Sequence, residues 1–486
     1  VTSIEQQWPR GLPVGGGWVA AKEEPVVFPY NGAVFAQAPI GTPELATRAI
    51  DAAVACRKEM EKLATRTRRE WLRATARRVA EARAEFVHLL VHETGKPLRD
   101  CQTEVARALV TIETAADEVI RLHGETVPLD LLPSGDGMIG FWQRKPIGVV
   151  VGITGFNYPL LLATHKIAPA IAAGCPIVIK TAPATPLATL WLVHMMREVA
   201  SELGAPVSAV QLVTGDERVG QVLTTDGRVG VVSFTGSSKV GHQIARAAAP
   251  RKVVLELGSN AALIIDRDAD LRAAAAATVR GGYYASGQAC IAIQRVLVVE
   301  EVADEYLAHL CKEVKSVVVG DPRLPATQVS SLINPAATAR VMSWIEMAVK
   351  MGAEVLVGGR EQGSCISPTV LNNVPENVDI WAEEVFGPVV CVRRVPNLDS
   401  AIKAVNASRF GLQASIFTAS MESAFRAIEE LEVGGVVVNE VPGFRADAMP
   451  YGGVKDSGIG REGPRFAIEE FTVTRMAIIR PSTPEQ

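Results

Sequence analysis

The chain has 486 residues, 48% of them hydrophobic and 21% charged, a balance that excludes a disordered polypeptide and, by length, a single small module. At roughly 100–200 residues per domain, two or three domains are expected. Forty-nine Lys and Arg face 53 Asp and Glu, so the net charge of −4 offers no global field to nucleic acid or an anionic bilayer, and neither partner is expected.

The amino-terminal Val1-Thr-Ser-Ile-Glu-Gln-Gln-Trp8 lacks the basic start and apolar stretch of a signal peptide. Seven cysteines without regular spacing suit a reducing compartment, so the cytoplasm is expected. From 43 to about 122, apolar residues recur at spacings of three and four, which predicts helices. The arginines of 57–83 are interleaved with Glu59, Glu61, Glu70 and Glu81, as on solvated helix faces. His88 and His92 stand four apart, but no third ligand cluster accompanies them, and no metal is expected. After Val127 the chain turns to Pro, Asp and Gly, then 138–144 reads as an exposed strand. The uncharged run 147–165 is long enough to span a bilayer, but Gly148, Gly152, Gly155, Asn157 and Pro159 make it strand plus loop. Strand-like runs at 148–153, 176–179, 210–213 and 229–234 alternate with helical ones at 187–203 and 240–249, which predicts parallel βαβ units with ligands beyond the carboxyl ends of the strands. A second alternation starts near Ala261 and continues through 295–299, 354–357, 369–371, 389–392, 413–417 and 435–439. Two α/β cores are therefore expected. After Pro464 comes a helical stretch and then 471–479, an alternating strand with no hairpin partner nearby, which invites pairing with another subunit.

Three segments can carry chemistry. Phe234-Thr-Gly-Ser-Ser-Lys-Val-Gly241 links a strand to a helix, so its glycines and free N–H groups suit a pyrophosphate, although such turns also arise for packing alone. Cys290, in Gly287-Gln-Ala-Cys-Ile-Ala, follows a turn instead of sitting in a periodic element. A thiolate is a strong nucleophile if its pKa is lowered or a base is close, while an inert buried cysteine is the plain alternative. Glu256 ends an apolar run before Gly258, where a carboxylate is costly to bury charged and serves either as a base or in a structural ion pair.

Taken together and in order, Gly155-Phe-Asn-Tyr-Pro159, Lys166-Ile-Ala-Pro-Ala-Ile, Lys180, Thr185-Pro186, Phe234-Thr-Gly-Ser, Glu256-Leu-Gly, Gly287-Gln-Ala-Cys290, Glu383-Glu-Val-Phe-Gly-Pro388 and Pro450-Tyr-Gly-Gly-Val-Lys-Asp-Ser-Gly458 resemble the aldehyde dehydrogenase superfamily over nearly the whole chain. The 34 positions between Glu256 and Cys290 also match it. The resemblance implies an α/β fold: a Rossmann-like cofactor domain (1–127 and 146–257), a second α/β catalytic domain (258–460), and a small bridging β element (128–145 and 464–486) that makes homodimers or homotetramers. It implies Cys290 as the nucleophile toward an aldehyde, Asn157 with the Cys290 N–H as oxyanion donors, and Glu256 as the base that activates water on the thioester. Lys166 and Glu462 match a proton relay. For NAD or NADP, the resemblance places Lys180 on the adenosine ribose, Gly236, Ser237 and Gly241 near the pyrophosphate, and Glu384 on the nicotinamide ribose, with Phe386 and Phe156 packing nearby. A cofactor-independent thiol esterase using the same residues is the rival.

Departures from the pattern carry their own expectations. Where many NAD-specific relatives have a carboxylate, this chain reads Lys180-Thr-Ala-Pro183, which removes one barrier to a 2′-phosphate. Ser259 replaces the usual second glycine beside Glu256. Phe-Asn-Tyr-Pro and Arg445-x-Asp447 look closest to the lactaldehyde and non-phosphorylating glyceraldehyde-3-phosphate branches. Glu113 falls about where the phosphate-using branch has an arginine, and is expected to oppose a phosphorylated substrate.

Overall fold

The computed structural model describes residues 8–481. Residues 1–7, most of the stretch read above for a leader, and 482–486, the end of the tail, lie outside the described residues. The chain opens with an antiparallel hairpin, β1 (Lys22–Val27) and β2 (Val34–Ile40), which the periodicity did not announce. The helical pattern that follows resolves into α1 (Pro43–Lys62), α2 (Thr65–Glu81), α3 (Arg83–Thr94) and α4 (Leu98–Glu118). Thr42 caps α1 by accepting the Leu45 N–H at 3.3 Å, with Pro43 at the first helical position. The arginines of α2 pair with exposed carboxylates, Arg77 with Glu70 and Arg78 with Glu198, as a solvated face should.

Beyond β3 (Glu125–Thr126) and β4 (Ile139–Pro146), the first large sheet is built from β5 (Val149–Ile153), β6 (Ile177–Lys180), β7 (Val210–Val213), β8 (Val229–Thr235) and β9 (Lys252–Glu256). Its spatial order is Gly458–Ile459, β9, β8, β5, β6, β7, parallel throughout except for the antiparallel first pair. The helices between these strands are α5 (Pro159–Ala173), α6 (Leu187–Glu202), α7 (Glu217–Thr225) and α8 (Ser238–Ala248). The chain leaves β5 toward β6 on one side and later returns to β8 on the other, so the switch point of the sheet lies at the carboxyl ends of β5 and β8, where a crevice opens.

The reading of 147–165 as strand plus loop fails in its second half, because α5 begins at Pro159. All fifteen of its residues are buried, so no polar face marks a helical period. Its start has no local cap either. The Glu104 carboxylate on α4 accepts the Leu160 and Leu161 N–H groups at 3.0 and 3.2 Å instead. Likewise Glu93 on α3 accepts the Leu187 and Ala188 N–H groups at the start of α6.

The second large sheet runs in the order Glu354–Val357, Thr369–Asn372, Val389–Val395, Arg295–Val299, Ala262–Ile265, Gln413–Phe417, Gly435–Val438, with only the first strand antiparallel. Each sheet carries its own apolar core. The terminal strand Thr472–Ile479 corrects the expectation of a lone element: it pairs antiparallel with β4 over eight positions, from Thr472 opposite Pro146 to Ile479 opposite Ile139. That partner lies more than 300 positions away, beyond the reach of any hairpin signal. The resulting sheet has the order Thr472–Ile479, β4, β3. Among the described residues, no helix is long and apolar enough to cross a membrane.

Candidate active site

The crevice at the switch point is a cavity of about 380 Å³, lined from both sheets. The loop after β5 contributes Phe156 and Asn157, the turn after β8 contributes Gly236 and Ser237, and Glu256 closes β9. From the second α/β unit come Cys290, Glu384 and Phe386.

Cys290 is delivered by a turn that local preference alone would not hold. Ala285, Ser286 and Gly287 are consecutive left-handed residues, with φ of 48°, 57° and 75°. Such conformations cost about 1–3 kcal/mol each outside glycine and persist where the surroundings over-determine them. Here the Asp100 carboxylate accepts the Ala285 N–H at 2.9 Å, the Ser330 N–H donates to the Ser286 hydroxyl at 2.9 Å, and the Ile333 N–H donates to the Gln288 side-chain oxygen at 3.0 Å. At Gly287 a Cβ would meet the Gly387 carbonyl oxygen at 2.1 Å, so only glycine fits. The half-buried Cys290 places its Sγ 3.2 Å from the Tyr451 hydroxyl. Burial pushes its thiol up to about 12, partly countered by the hydrogen bond with Tyr451. Of the two activating conditions set out above, a lowered thiol pKa is not met, which leaves removal of the proton by a base.

Asn157 reaches across to the nucleophile loop. Its Nδ2 donates to the Gln288 carbonyl at 2.9 Å, which fixes the amide and leaves its second N–H free for another acceptor. Glu256 is buried with neither carboxylate oxygen partnered. Burial first, and the nearby Glu462 second, hold its carboxyl well above the usual range. Glu462 goes the other way: burial would raise it, but Lys166, His165 and Arg445 outweigh that and hold it far below. Lys166 Nζ lies 3.0 Å from one Glu462 oxygen, and Arg445 and His165 lie 3.3 and 3.2 Å from the other. The expected relay pair is thus a buried ion cluster set beside Glu256, whose carboxyl is held above its usual range.

The expected dinucleotide residues divide into two groups. Glu384 and Phe386 line the cavity, the Phe386 ring meeting Phe156 edge-on at 5.6 Å. Burial pushes Glu384 up to about 7, and a Cβ on Gly258 would come within 2.6 Å of its carboxylate. The backbone at Ser259, where the glutamate motif departs, donates to Glu384 at 3.0 Å, so that N–H serves this neighbour whatever side chain it bears. Ser237, in the cavity wall, caps α8. Lys180 sits at the carboxyl end of β6 and Gly241 on α8, and neither lines the cavity. Gly241 has a packing reason, since a Cβ there would fall 2.3 Å from Leu257. Lys180 is buried, which pushes its ammonium down to about 8.

Glu113 is corrected outright. It is exposed on α4 and absent from the lining, whereas Arg107, six positions earlier and so about 240° around the helix, faces the cavity. A carboxylate on the outer face cannot oppose a phosphorylated substrate. Sequence reasoning missed Tyr451 as a thiol partner, although it lies inside a quoted motif, and missed Asp100 and Glu104, which no local signal marks.

The chain is similar to known proteins over nearly its whole length. The model of the Aldehyde dehydrogenase family matches residues 18–477. The 3-sulfolactaldehyde dehydrogenase of Priestia megaterium is 37% identical over 481 residues, 99% of this chain and 100% of that protein. Among solved structures, glyceraldehyde-3-phosphate dehydrogenase from Methanocaldococcus jannaschii complexed with NADP superposes with a TM-score of 0.91 at 35% identity, covering 95% of this chain and 100% of that one. A betaine aldehyde dehydrogenase variant from Staphylococcus aureus in complex with NAD+ gives 0.92 at 31% identity, covering 98% and 97%.

Proposed function

The chain belongs to the aldehyde dehydrogenase family, and we propose that it oxidises a short aldehyde to the carboxylic acid, with NAD or NADP, through a covalent adduct on Cys290. The observation that carries the mechanism is the convergence of Cys290, Asn157 and Glu256 on one cavity beside Glu384.

The cavity suits a dinucleotide. The start of α8 offers N–H groups beside Gly236 and Ser237 for a pyrophosphate, Gly258 leaves room against Glu384 for a ribose, and Phe386 and Phe156 form an apolar wall. Lys180, one strand over, is the candidate for the adenosine ribose. When bound, the dinucleotide supplies the hydride acceptor and a positively charged ring.

The residues of the chain do the rest. Sγ of Cys290 bonds to the aldehyde carbon as its proton passes to water in the open cavity and on to solvent, because a thiol pushed up to about 12 does not add as a standing thiolate. The new oxyanion takes the free N–H of Asn157 and the Cys290 backbone N–H. Loss of hydride leaves a thioester. Glu256, with both oxygens unpartnered, removes a proton from water as it attacks, and the acid departs as the thiol re-forms. Glu462 raises the basicity of Glu256, while Arg445 and Lys166 partly offset it. A reducing compartment such as the cytoplasm, which keeps Cys290 a thiol, belongs to the same reading. So does a homo-oligomer, supported by the unpaired outer edge of Thr472–Ile479 and its exposed Val473, Met476 and Ile478.

The test is a panel of short aldehydes with each dinucleotide, read at 340 nm. Turnover should appear with wild type and vanish in Cys290→Ala, which should still bind the dinucleotide. Ester hydrolysis with no absorbance growth under any pairing would favour the thiol esterase instead.

A further inference from the structure

The loops that meet at Cys290 come from distant parts of the chain, and one helix face touches three of them. Asp100, Glu104 and Arg107 lie within about 60° of one another on α4 at 3.6 residues per turn. Asp100 holds the Ala285 N–H of the turn that delivers Cys290. Glu104 holds the Leu160 and Leu161 N–H groups, three and four positions after Asn157. Arg107 grips Asp447 through two hydrogen bonds, at 2.8 and 3.2 Å, next to the cavity-lining Arg445.

We propose that α4 is the positioning element of the site: Asp100 sets the nucleophile loop and Glu104 sets the oxyanion-donor loop, so that Asn157 and Cys290 keep the register that carbonyl addition requires. This rests on the reaction proposed above. Glu104 is fully buried in an ion pair with Lys96, whose ammonium lies 3.7 Å over the ring of Tyr158, the residue after Asn157. A buried ion pair is a poor source of net stability, because desolvation offsets the attraction, whereas it fixes geometry strongly. A local side-chain cap would satisfy α5 more simply, yet Tyr158 provides none. The two loops also touch each other directly, through Asn157 Nδ2 and the Gln288 carbonyl. Displacement by about 1 Å can cost about a hundredfold in rate, so loops held from one helix face matter to the chemistry without touching the substrate.

The experiment compares Asp100→Ala with Asp100→Asn, and the double variant Lys96→Met/Glu104→Leu with Lys96→Met/Glu104→Gln. The second of each pair keeps an acceptor for the backbone N–H groups, and neither double variant leaves a buried charge unpaired. Readouts are the pre-steady-state burst with propionaldehyde and NADP, the rate of Cys290 alkylation by iodoacetamide, NADP affinity and Tm. Alkylation needs access to the thiol and its ionisation but no alignment with an aldehyde, whereas the burst needs that alignment. Asp100→Ala is expected to lower the burst at least tenfold while alkylation rises, and Asp100→Asn to restore both within threefold. Lys96→Met/Glu104→Leu is expected to lower the burst at least tenfold with alkylation within twofold, and the Gln version to restore it. The proposal is overturned if both acceptor-free variants keep the burst within threefold, if burst, alkylation and NADP affinity fall together, or if the acceptor-keeping variants do not fold. A wild type with no burst refutes the dehydrogenase reading, and alkylation of Asp100→Ala against wild type then still decides the positioning of Cys290.

Discussion

Asn157→Ala removes the side-chain oxyanion donor together with its tether to the Gln288 carbonyl, and the alkylation control reads the tether. The Asn157 amide has two N–H groups, and one is committed to the Gln288 carbonyl at 2.9 Å, so a single side-chain donor remains for the developing charge. Removing one preorganised donor of this kind costs about 10²–10³ in kcat, or about 2.7–4 kcal/mol at 1.36 kcal/mol per decade. Asn157→Asp should be worse than Ala, since an ionised carboxylate donates nothing and would face both the Gln288 carbonyl and the oxyanion. The assay is the single-turnover burst of reduced dinucleotide at saturating aldehyde, which reports acylation separately from thioester hydrolysis. NADP affinity and Cys290 alkylation serve as controls and should stay within threefold. An Asn157→Ala burst within threefold of wild type would refute the assignment and leave the Cys290 backbone N–H as the sole donor.

Four further outcomes are expected. Glu256→Gln should retain the burst but lose at least about a hundredfold in steady-state rate; in wild type that rate should rise with pH, because Glu256 is held protonated well above the usual carboxylate range and must lose its proton to act. Glu462→Gln removes the ionised neighbour that raises Glu256 and should move this limb to lower pH; a limb that stays put, measured under hydrolysis-limited conditions, counts against the pairing. With Pro183 in place of a ribose-gripping carboxylate, NADP should turn over measurably, and strict use of NAD in steady-state kinetics would sink this expectation. Glu93, at the start of α6, is raised by burial to about 8, so the folded protein keeps a proton that the unfolded chain releases above about 4.5. Stability is then fully present below pH 4.5 and falls as pH rises to about 8, by at most about 5 kcal/mol, with no further loss from this group above that. Urea unfolding of Glu93→Gln should show a flatter dependence between pH 5 and 8, and an unchanged slope would exclude Glu93 as its source.

Helix phase separates what a motif carries from what it cannot. Glu113 and Arg107 share α4, and sequence position alone put the carboxylate at the substrate, whereas the turn of the helix sends it to solvent and points the guanidinium inward. Asp100 and Glu104 were equally silent, because their partners Ala285 and Leu160 are 185 and 56 positions away. Helix α5 escaped notice for a different reason: a helix buried on every side has no amphipathic period to read.

The sequence by itself determined the alternation of strands and helices and the two α/β cores, and nominated Cys290 and Glu256, with Asn157 added by the family resemblance, because period, turn residues and motifs are patterns along the chain. Tertiary structure alone decided that these three share one cavity, that burial raises the Cys290 thiol, and that the Glu256 carboxyl is pushed up while that of Glu462 is pushed down. It also gave Thr472–Ile479 its partner in β4 and Asn157 its hold on Gln288. Burial and charge proximity set those protonation states, and both depend on which distant segments pack together, a quantity no local pattern encodes.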